Sequence, residues 1–330
     1  MTAAGGRGAK TRQIWQEHRI LLDSGPVARN IPKDVQTCVI FNPAARGNKA
    51  RHFRQHLDLI AAQGALKATS GPGDARRLAA EAVRDGFDLI VAAGGDGTVN
   101  ETLNGLGDVP EGFARARLGV LPLGTINVFA RELGIPMEVE RAWEVLQRDH
   151  ELKMDLPWVE FTAGGGGKKQ YFAQLAGGGL DARAIELVGW SLKKRFGPLA
   201  YLLAGLQALR ETKPMITART DGKTAAGELV LIGHGRLYGG PFNIFPAAQP
   251  AGGRLEVCVL RQMNWWTLWH CAPHLLLRRK LPDSAVQRLS TDRFTLTSPT
   301  PAAFELDGEW VGQLPATFGL APLTLRVAVP

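Results

Sequence analysis

Short apolar runs alternate with amphipathic stretches from Val35 to about residue 150. TCVIF runs into a Pro/Gly turn, and RHFRQHLDLIAAQG then repeats apolar residues at helical spacing. ALKATSG, FDLIVAAGG and RLGVLPLG are further strand-like runs, whereas GDARRLAAEAVRDG, VNETLNGL and TINVFARELG are helix-like. Strands that alternate with helices predict a mostly parallel sheet with helices on both faces.

The pattern changes after about residue 150. ELKMDLPWVEF alternates apolar and polar positions, which places Leu152, Met154 and Leu156 on one face of a strand and Asp155 on the other. Short strands separated by Gly and Pro follow to residue 330, interrupted by apolar helix-like stretches at 185–210 and 263–280. The sequence therefore predicts an N-terminal α/β domain and a C-terminal β-rich domain, preceded by a polar extension of residues 1–35.

Three glycine-containing turns follow predicted strands. In VAAGGDGTVNETLNGL the strand is expected to end at Ala93 and the helix to begin near Thr98. NPAARG (42–47) follows the first strand and PLGTIN (122–127) follows the fourth. The carboxyl ends of parallel strands share one edge of an open sheet, where such sheets bind ligands. Because glycine lets backbone N–H groups approach phosphate oxygens, the three turns predict a nucleotide site.

Asp96 lies inside the second of these turns. A carboxylate beside phosphates is typical of a Mg²⁺ ligand, directly or through water. A plain strand–helix turn would instead use the same side chain as a helix cap. Neither GxxxxGK[ST] nor GxGxxG is present, so the site is neither a P-loop nor a dinucleotide fingerprint.

Composition and charge narrow the function classes. A net charge of +8 indicates an anionic partner, but the basic residues are dispersed and no nucleic-acid motif is present. Three cysteines are too few and too scattered for a disulfide framework or a metal cage, which favours a reducing cytosol. No apolar run approaches the roughly 20 residues that cross a bilayer, and the N-terminus lacks the apolar core of a secretory signal. A cytoplasmic protein that binds no nucleic acid is therefore expected.

FNPAARG, GGDGTVNE and LPLGTINVFARELGIP resemble the three signatures of the diacylglycerol kinase catalytic-domain family, which includes bacterial lipid kinases and sphingosine kinases. KMDLPWVE, YFAQLAGGGLDA, GPLAYLLAGLQAL and FELDGEWVGQLPA are similar to further family segments in the same order, so the resemblance covers about residues 36–330. It implies an α/β ATP-binding domain of residues 36–157 plus 311–330, to which the final strand returns. It also implies a β-sandwich lipid-substrate domain of residues 158–310, with ATP in the cleft between the two.

The resemblance also implies roles for individual residues. Glu309 in LDGEW matches the general base that acts on the lipid hydroxyl, Asp155 matches the acid that supports it, and Asp96 matches the Mg²⁺ anchor. Paired acids would raise the pKa of one carboxyl towards the working pH. Without the resemblance, Asp307 and Glu309 are typical of a solvated β-turn. The positions that match ATP contacts are Asn42, Pro43, Gly47, Thr69, Gly94, Gly95, Asp96, Gly97, Thr98, Val99 and Thr125.

Two positions depart from the family pattern. Asn127 is followed by Val128, where many members have an aspartate. PAAQPAGGRLEV has Gly252-Gly253, where bacterial members often have an Asp-Gly pair whose carboxylate helps to hold a second, structural Mg²⁺. This departure argues against a structural metal here.

The function expected from these features is an ATP- and Mg²⁺-dependent kinase that phosphorylates diacylglycerol or a related lipid alcohol at the inner membrane face. By family analogy we expect a homodimer. MNWWTLWHCAPHLLLRRK (263–280) is explained equally by peripheral membrane docking and by core packing. The stretch 187–210 is similarly ambiguous, since its KKR cluster could face either water or a membrane. A kinase for a soluble acceptor such as NAD is an alternative. The long β-rich half and the motif LPLGTIN argue against it. A non-catalytic lipid-binding regulator is another, against which Asp96 and Glu309 count.

Overall fold

The computed structural model describes residues 35–43, 53, 57–61, 63–180, 182–183, 211 and 213–330. Residues 1–34 of the expected extension, Gly47 and the stretch 187–210 lie outside the described residues. The helices are α1 (Leu57–Ala61), α2 (Asp74–Arg84), α3 (Asp96–Gly107), α4 (Gly112–Arg115), α5 (Val128–Glu132), α6 (Val139–Leu146) and α7 (Trp265–Arg278), with a 3₁₀ turn at Asp283–Ala285. The strands are β1 (Thr37–Phe41), β2 (Ala65–Ala68), β3 (Leu89–Gly94), β4 (Arg117–Pro122), β5 (Glu151–Ala163), β6 (Gly166–Tyr171), β7 (Leu175–Gly179), β8 (Ile216–Arg219), β9 (Thr224–Gly227), β10 (Leu229–Gly233), β11 (Leu237–Tyr238), β12 (Phe242–Asn243), β13 (Leu255–Leu260), β14 (Gln287–Thr291), β15 (Arg293–Thr297), β16 (Ala303–Leu306), β17 (Glu309–Gln313) and β18 (Ala316–Ala328).

The N-terminal half forms the parallel sheet that the alternating pattern predicts. The strand order is β2-β1-β3-β4, and all three neighbouring pairs are parallel. Every residue of β3 and β4 is buried. A central parallel strand needs apolar side chains on both faces, because helices cover both, and this explains the apolar runs LIVAAG in β3 and LGVLP after Arg117 in β4.

The final strand joins this sheet, as expected from the resemblance. In β18, Val327 pairs in parallel with Leu118 of β4, and the sheet continues through β15, β8 and β9 in antiparallel order. The 13-residue strands β5 and β18 also run antiparallel along most of their length. The domain boundary expected at residue 157 falls within β5, so this strand pair belongs to both halves of the molecule.

Each long strand contributes to two hydrophobic cores. The first core lies around the parallel sheet and includes Met154 and Leu325 from the strand pair. The second core includes Val159 and Phe318 from the same two strands, together with buried residues of a separate antiparallel sheet. That sheet has the order β14-β13-β10-β7-β16-β17. Two sheets that face one core form the β-sandwich expected for the C-terminal half, and the strand pair β5–β18 holds it to the α/β half.

Candidate functional site

Three strand ends bring the predicted turns to one edge of the parallel sheet. Phe41 of β1 is in register with Ala93 of β3, and Gly94 is in register with Pro122 of β4. The backbone N–H of Asn42 donates to the carbonyl of Ala93 at 3.4 Å. Those of Leu123 and Gly124 donate to the carbonyl of Gly94 at 2.9 and 3.1 Å. The ends of the first, third and fourth strands, with Asn42 and Leu123–Gly124 directly after two of them, are therefore direct neighbours.

The glycines of two of these turns are in backbone contact. A Cβ on Gly124 would lie 2.5 Å from the Cα of Gly95, and a Cβ on Gly94 would lie 2.2 Å from Oγ1 of Thr98. Both distances are far below a normal contact, so neither turn accepts a larger residue at these positions. The glycines thus let the turns approach one another.

Asp96 is the first residue of α3, two residues earlier than the predicted helix start near Thr98. Its Oδ1 accepts a hydrogen bond of 3.2 Å from the backbone N–H of Phe129, in the first turn of α5. The carboxylate therefore caps the helix that follows the LPLGTIN turn, and it does not cap its own helix. Burial raises the pKa of Asp96, while backbone N–H groups at the start of α5 act in the opposite direction. A cation beside this carboxylate would further offset the cost of burying its charge.

Asn127 fixes the third turn from inside. It has a left-handed backbone with φ of 54°, which asparagine tolerates better than most residues. Its Nδ2 donates to the carbonyl of Gly124 at 2.8 Å and to that of Pro122 at 3.3 Å. Sequence reasoning did not assign a role to this residue, although it ends the motif LPLGTIN. The structure gives it the role of closing the turn.

Glu309 lies beside the GGDGT turn, although about 210 residues separate them in the chain. An ideal Cβ on Gly97 would lie 3.3 Å from Oε1 of Glu309. Glu309 is the first residue of β17 and is exposed to solvent. The glycine turn of the α/β half and the LDGEW turn of the sandwich therefore meet at one place.

Asp307 is the main residue that sequence reasoning missed. The expectation of a solvated turn is wrong for this residue, because it is only 7% exposed. Its two carboxylate oxygens accept four hydrogen bonds of 2.7 to 3.1 Å, from Nδ2 of Asn100 and from the backbone N–H groups of Ala173, Gln174 and Leu175. Burial raises its pKa, and these four donors oppose that rise. Asp307 thereby fastens the LDGEW turn to α3, the helix that begins at Asp96.

Asp155 contacts a different segment. Its Oδ2 accepts a 2.6 Å hydrogen bond from the backbone N–H of Gly253, and its own N–H donates to the carbonyl of Pro250 at 2.8 Å. The Gly252-Gly253 departure thus places a backbone donor against Asp155. The predicted support of Glu309 by Asp155 stays a prediction, because the hydrogen bonds of Asp155 go to this loop and Glu309 lies against Gly97.

His234 links the same loop to the segment whose backbone N–H groups donate to Asp307. Its ring is fully buried, with Nδ1 at 2.9 Å from the carbonyl of Ala173 and Nε2 at 3.0 Å from that of Pro250. Burial lowers the pKa of His234, and both carbonyls act in the opposite direction. The imidazole holds two loops at a fixed spacing, one that donates to Asp307 and one that donates to Asp155.

A second contact joins the LPLGTIN helix to the sandwich. Glu132 at the end of α5 is almost fully buried and pairs with Nε of Arg236 at 3.1 Å. Its other oxygen accepts from the backbone N–H of Leu237 at 2.9 Å. No local sequence pattern distinguishes Glu132 from a solvated glutamate, so sequence reasoning did not find it.

The other residues expected to contact ATP differ in how accessible their side chains are. The side chain of Val99 is buried in the first core, so only its backbone is available to a ligand. Thr69 is 9% exposed and its N–H donates to the carbonyl of Phe41 at 2.9 Å. Asn42, Pro43 and Thr125 are exposed, and Thr98 is half-buried.

The donor set fits a magnesium ion that arrives with a nucleotide. Among the described residues, no group of three or more His, Cys, Asp or Glu side chains is placed to hold a metal ion. Mg²⁺ is usually bound through one or two carboxylates together with substrate phosphates and waters. A carboxylate oxygen can accept more than one interaction, so Asp96 could cap α5 and bind such an ion together.

Family comparisons cover both halves of the chain. The family described as diacylglycerol kinase catalytic domain matches residues 36–159, and the family described as YegS C-terminal NAD kinase beta sandwich-like domain matches residues 175–329. A diacylglycerol kinase of Bacillus subtilis strain 168 is 32% identical over 300 residues, which are 88% of this chain and 95% of that protein. The chain belongs to the diacylglycerol kinase family.

Further relatives extend this agreement. A diacylglycerol kinase of Staphylococcus haemolyticus is 31% identical over 266 residues, which are 80% of this chain and 77% of that protein. The solved structure of a diacylglycerol kinase from Bacillus anthracis has a TM-score of 0.66 at 21% identity and covers 90% of this chain and 98% of that one. The fold is thus the diacylglycerol kinase fold, and the chain is a kinase of a lipid kinase family.

Proposed function

We propose that this protein transfers the γ-phosphoryl group of ATP to the hydroxyl of diacylglycerol or a closely related lipid alcohol. The observation that carries the proposal is the contact between Gly97 and Glu309. It sets a phosphate-binding turn and a solvent-exposed carboxylate against each other. Phosphoryl transfer needs the phosphate donor to be aligned with an acceptor hydroxyl whose proton has a place to go.

The three strand-end turns supply the nucleotide half of the site. Gly94 ends β3, and Gly95 and Gly97 lie at the N-terminus of α3, where backbone N–H groups and the helix dipole favour phosphate. Asp96 would hold a Mg²⁺ ion on the phosphates from the same turn. When bound, Mg²⁺ would neutralise part of the charge that builds on the β- and γ-phosphates.

Glu309 supplies the acceptor half. As the lipid oxygen forms its bond to the γ-phosphorus, its proton passes to the Glu309 carboxylate and ADP leaves with the electrons of the broken P–O bond. Asp307 holds Glu309 in position. Its hydrogen bond from Asn100 anchors the turn on which Glu309 lies to α3. Asp155 is proposed as a supporting acid, held in place by the loop at Gly253.

A lipid acceptor places this chemistry at a membrane surface, which we propose to be the inner face. No helix within the described ranges is both long and apolar enough to cross a membrane. The acceptor hydroxyl of a glycerolipid lies at the boundary between headgroup and acyl chains. The enzyme would therefore reach it from the aqueous side.

A labelled-phosphate screen tests this function. Wild-type protein is incubated with Mg²⁺ and γ-labelled ATP, together with mixed micelles of diacylglycerol, monoacylglycerol, a sphingoid base or phosphatidylglycerol, or with NAD in solution. We expect label in phosphatidic acid and no label in phosphorylated NAD. Label in NAD with none in any lipid would contradict the proposal. Label in a lipid other than diacylglycerol would keep the reaction and change the acceptor.

A further inference from the structure

We propose that the exposed face of α7 is a membrane-docking surface that binds anionic bilayers. α7 runs from Trp265 to Arg278 and is capped by Asn264, whose side chain accepts from the backbone N–H of Thr267 at 2.9 Å. The inference rests on the proposed function in one respect, which is that an enzyme with a lipid acceptor has to reach a membrane. The binding itself is independent of catalysis.

The apolar side chains of α7 divide between two faces. Cys271 is buried and Leu268 and Leu275 pack against the small core beneath the helix. The other face is open to solvent to a degree unusual for large apolar side chains. Its exposed fractions are 54% for Trp265, 72% for Trp266, 69% for Trp269, 78% for Leu276 and 83% for Leu277.

These five side chains form one continuous stripe. At about 100° per residue, Trp265, Trp269 and Leu276 lie within roughly 40° of one another around the helix. The rings of Trp266 and Trp269 are 5.4 Å apart. Contiguous exposed apolar surface of this kind marks an interaction site rather than ordinary surface. Core packing, one of the two explanations that the sequence allowed, is therefore wrong for this face.

The charge beside the stripe is uniformly positive. From Arg261 to Pro282 the chain contains four basic residues and neither Asp nor Glu. Arg278, Arg279 and Lys280 are exposed at the C-terminal end of the helix. An anionic lipid surface complements this charge, and tryptophan is favoured at the headgroup boundary, where its ring is apolar and its N–H reaches polar groups.

A second copy of the chain fits this surface poorly. In a two-fold interface the same patch would face itself. The segment 261–282 of one copy would then meet the same acid-free segment of the other, so Arg278, Arg279 and Lys280 could pair only with carboxylates outside it, such as the exposed Asp283. An anionic bilayer complements all of these positive charges, which favours a bilayer over a second copy.

A pocket at the end of α7 is suited to a lipid phosphate. It has a volume of about 280 Å³, and its polar lining includes His274, Arg278, Lys280, Asp283 and Arg288. Arg288 is already paired with the buried Glu256 at 2.7 Å, so Arg278 and Lys280 supply its available positive charge. We place a headgroup phosphate of an anionic lipid here, next to the apolar stripe that would enter the acyl boundary.

Vesicle co-sedimentation of the full chain tests the docking surface without ATP. Wild-type protein should bind phosphatidylglycerol-rich vesicles and bind pure phosphatidylcholine vesicles much more weakly. Leu276→Ser/Leu277→Ser should weaken binding by at least about 100-fold, because two leucines no longer bury apolar surface in the bilayer. Arg278→Ser/Arg279→Ser/Lys280→Ser should weaken it on the order of 100-fold, at about 1 kcal/mol for each charge. Leu323→Ser is the matched control, since Leu323 is 52% exposed on β18 and outside the patch.

Equal binding of the α7 variants, the control and wild type would overturn the inference. So would loss of a wild-type dimer on size exclusion in the Leu276→Ser/Leu277→Ser variant, which would assign the face to a second copy. Activity on a dispersed short-chain diacylglycerol separates the two proposals. If the variants lose vesicle binding and keep this activity, both proposals hold. If wild type binds vesicles and phosphorylates no lipid, the docking surface stands and the proposed function fails.

Discussion

Glu309→Gln is expected to lower kcat for lipid phosphorylation by about 10²–10⁴-fold and to leave ATP affinity nearly unchanged. Glutamine keeps the size of the side chain beside Gly97 and removes its capacity to take the acceptor proton. The proposed ATP contacts are mostly backbone groups of the strand-end turns, and a glutamine of the same size at residue 309 would leave that backbone unchanged. Steady-state kinetics with diacylglycerol in mixed micelles and calorimetric titration with ATP measure the two effects separately.

Glu144→Gln provides the matched control for this variant. Glu144 is exposed on α6, so the same loss of charge there should leave kcat within twofold of wild type, roughly the effect of an ordinary surface change. A Glu309→Gln enzyme that also kept kcat within a factor of a few would show that the proton goes elsewhere. Asp155 would then be the next residue to replace.

Asp307→Asn is expected to lower the free energy of unfolding by roughly 2–5 kcal/mol, the largest stability effect of a single isosteric change that the site predicts. Each carboxylate oxygen of Asp307 accepts hydrogen bonds from two N–H groups. Those of Asn100 and Ala173 both donate to Oδ2. Asparagine replaces one of these oxygens by an NH₂ group. Two buried N–H donors would then face another donor instead of an acceptor. Urea unfolding followed by far-UV circular dichroism measures the loss.

Asp221→Asn is the control for Asp307→Asn. Asp221 is exposed in the turn between β8 and β9, so its replacement should change stability by no more than about 0.5 kcal/mol. A difference between the two variants smaller than about 1 kcal/mol would mean that Asp307 does not fasten the two halves of the site. A matching fall in kcat at a temperature where Asp307→Asn is folded would show that the position of Glu309 depends on this anchor.

Local patterns were sufficient to predict that the ends of these strands lie at one edge of the sheet. The apolar runs ending at Phe41, Gly94 and Pro122 each precede a turn with its own glycine, and parallel pairing brings such turns to one edge. The side chains of Val99, Leu103 and Leu106 are buried, as the helical spacing of VNETLNGL predicts. The strand β3 ends one residue later than predicted, at Gly94, and α3 begins two residues earlier, at Asp96.

Contacts between distant segments could not be predicted in this way. Asp307 is recognised by backbone N–H groups more than 130 residues away, and backbone donors leave no trace in residue identity. For the same reason the hydrogen bond from Gly253 to Asp155 was invisible in the sequence. The helix at 265–278 shows a further limit, because an apolar stripe has the same sequence whether it faces a core or a bilayer.

A double-mutant cycle of Gly97→Ala and Glu309→Gln tests most directly whether the glycine turn and the carboxylate form one reacting centre. A methyl group at residue 97 would lie 3.3 Å from Oε1 of Glu309 and would displace it by a few tenths of an ångström. At saturating ATP, Gly97→Ala should lower the kcat of wild type about tenfold, because displacements of this size already affect alignment. In the Glu309→Gln background it should have almost no further effect, since the base it displaces is gone. Effects that multiply would contradict the account, because the turn and Glu309 would then act independently.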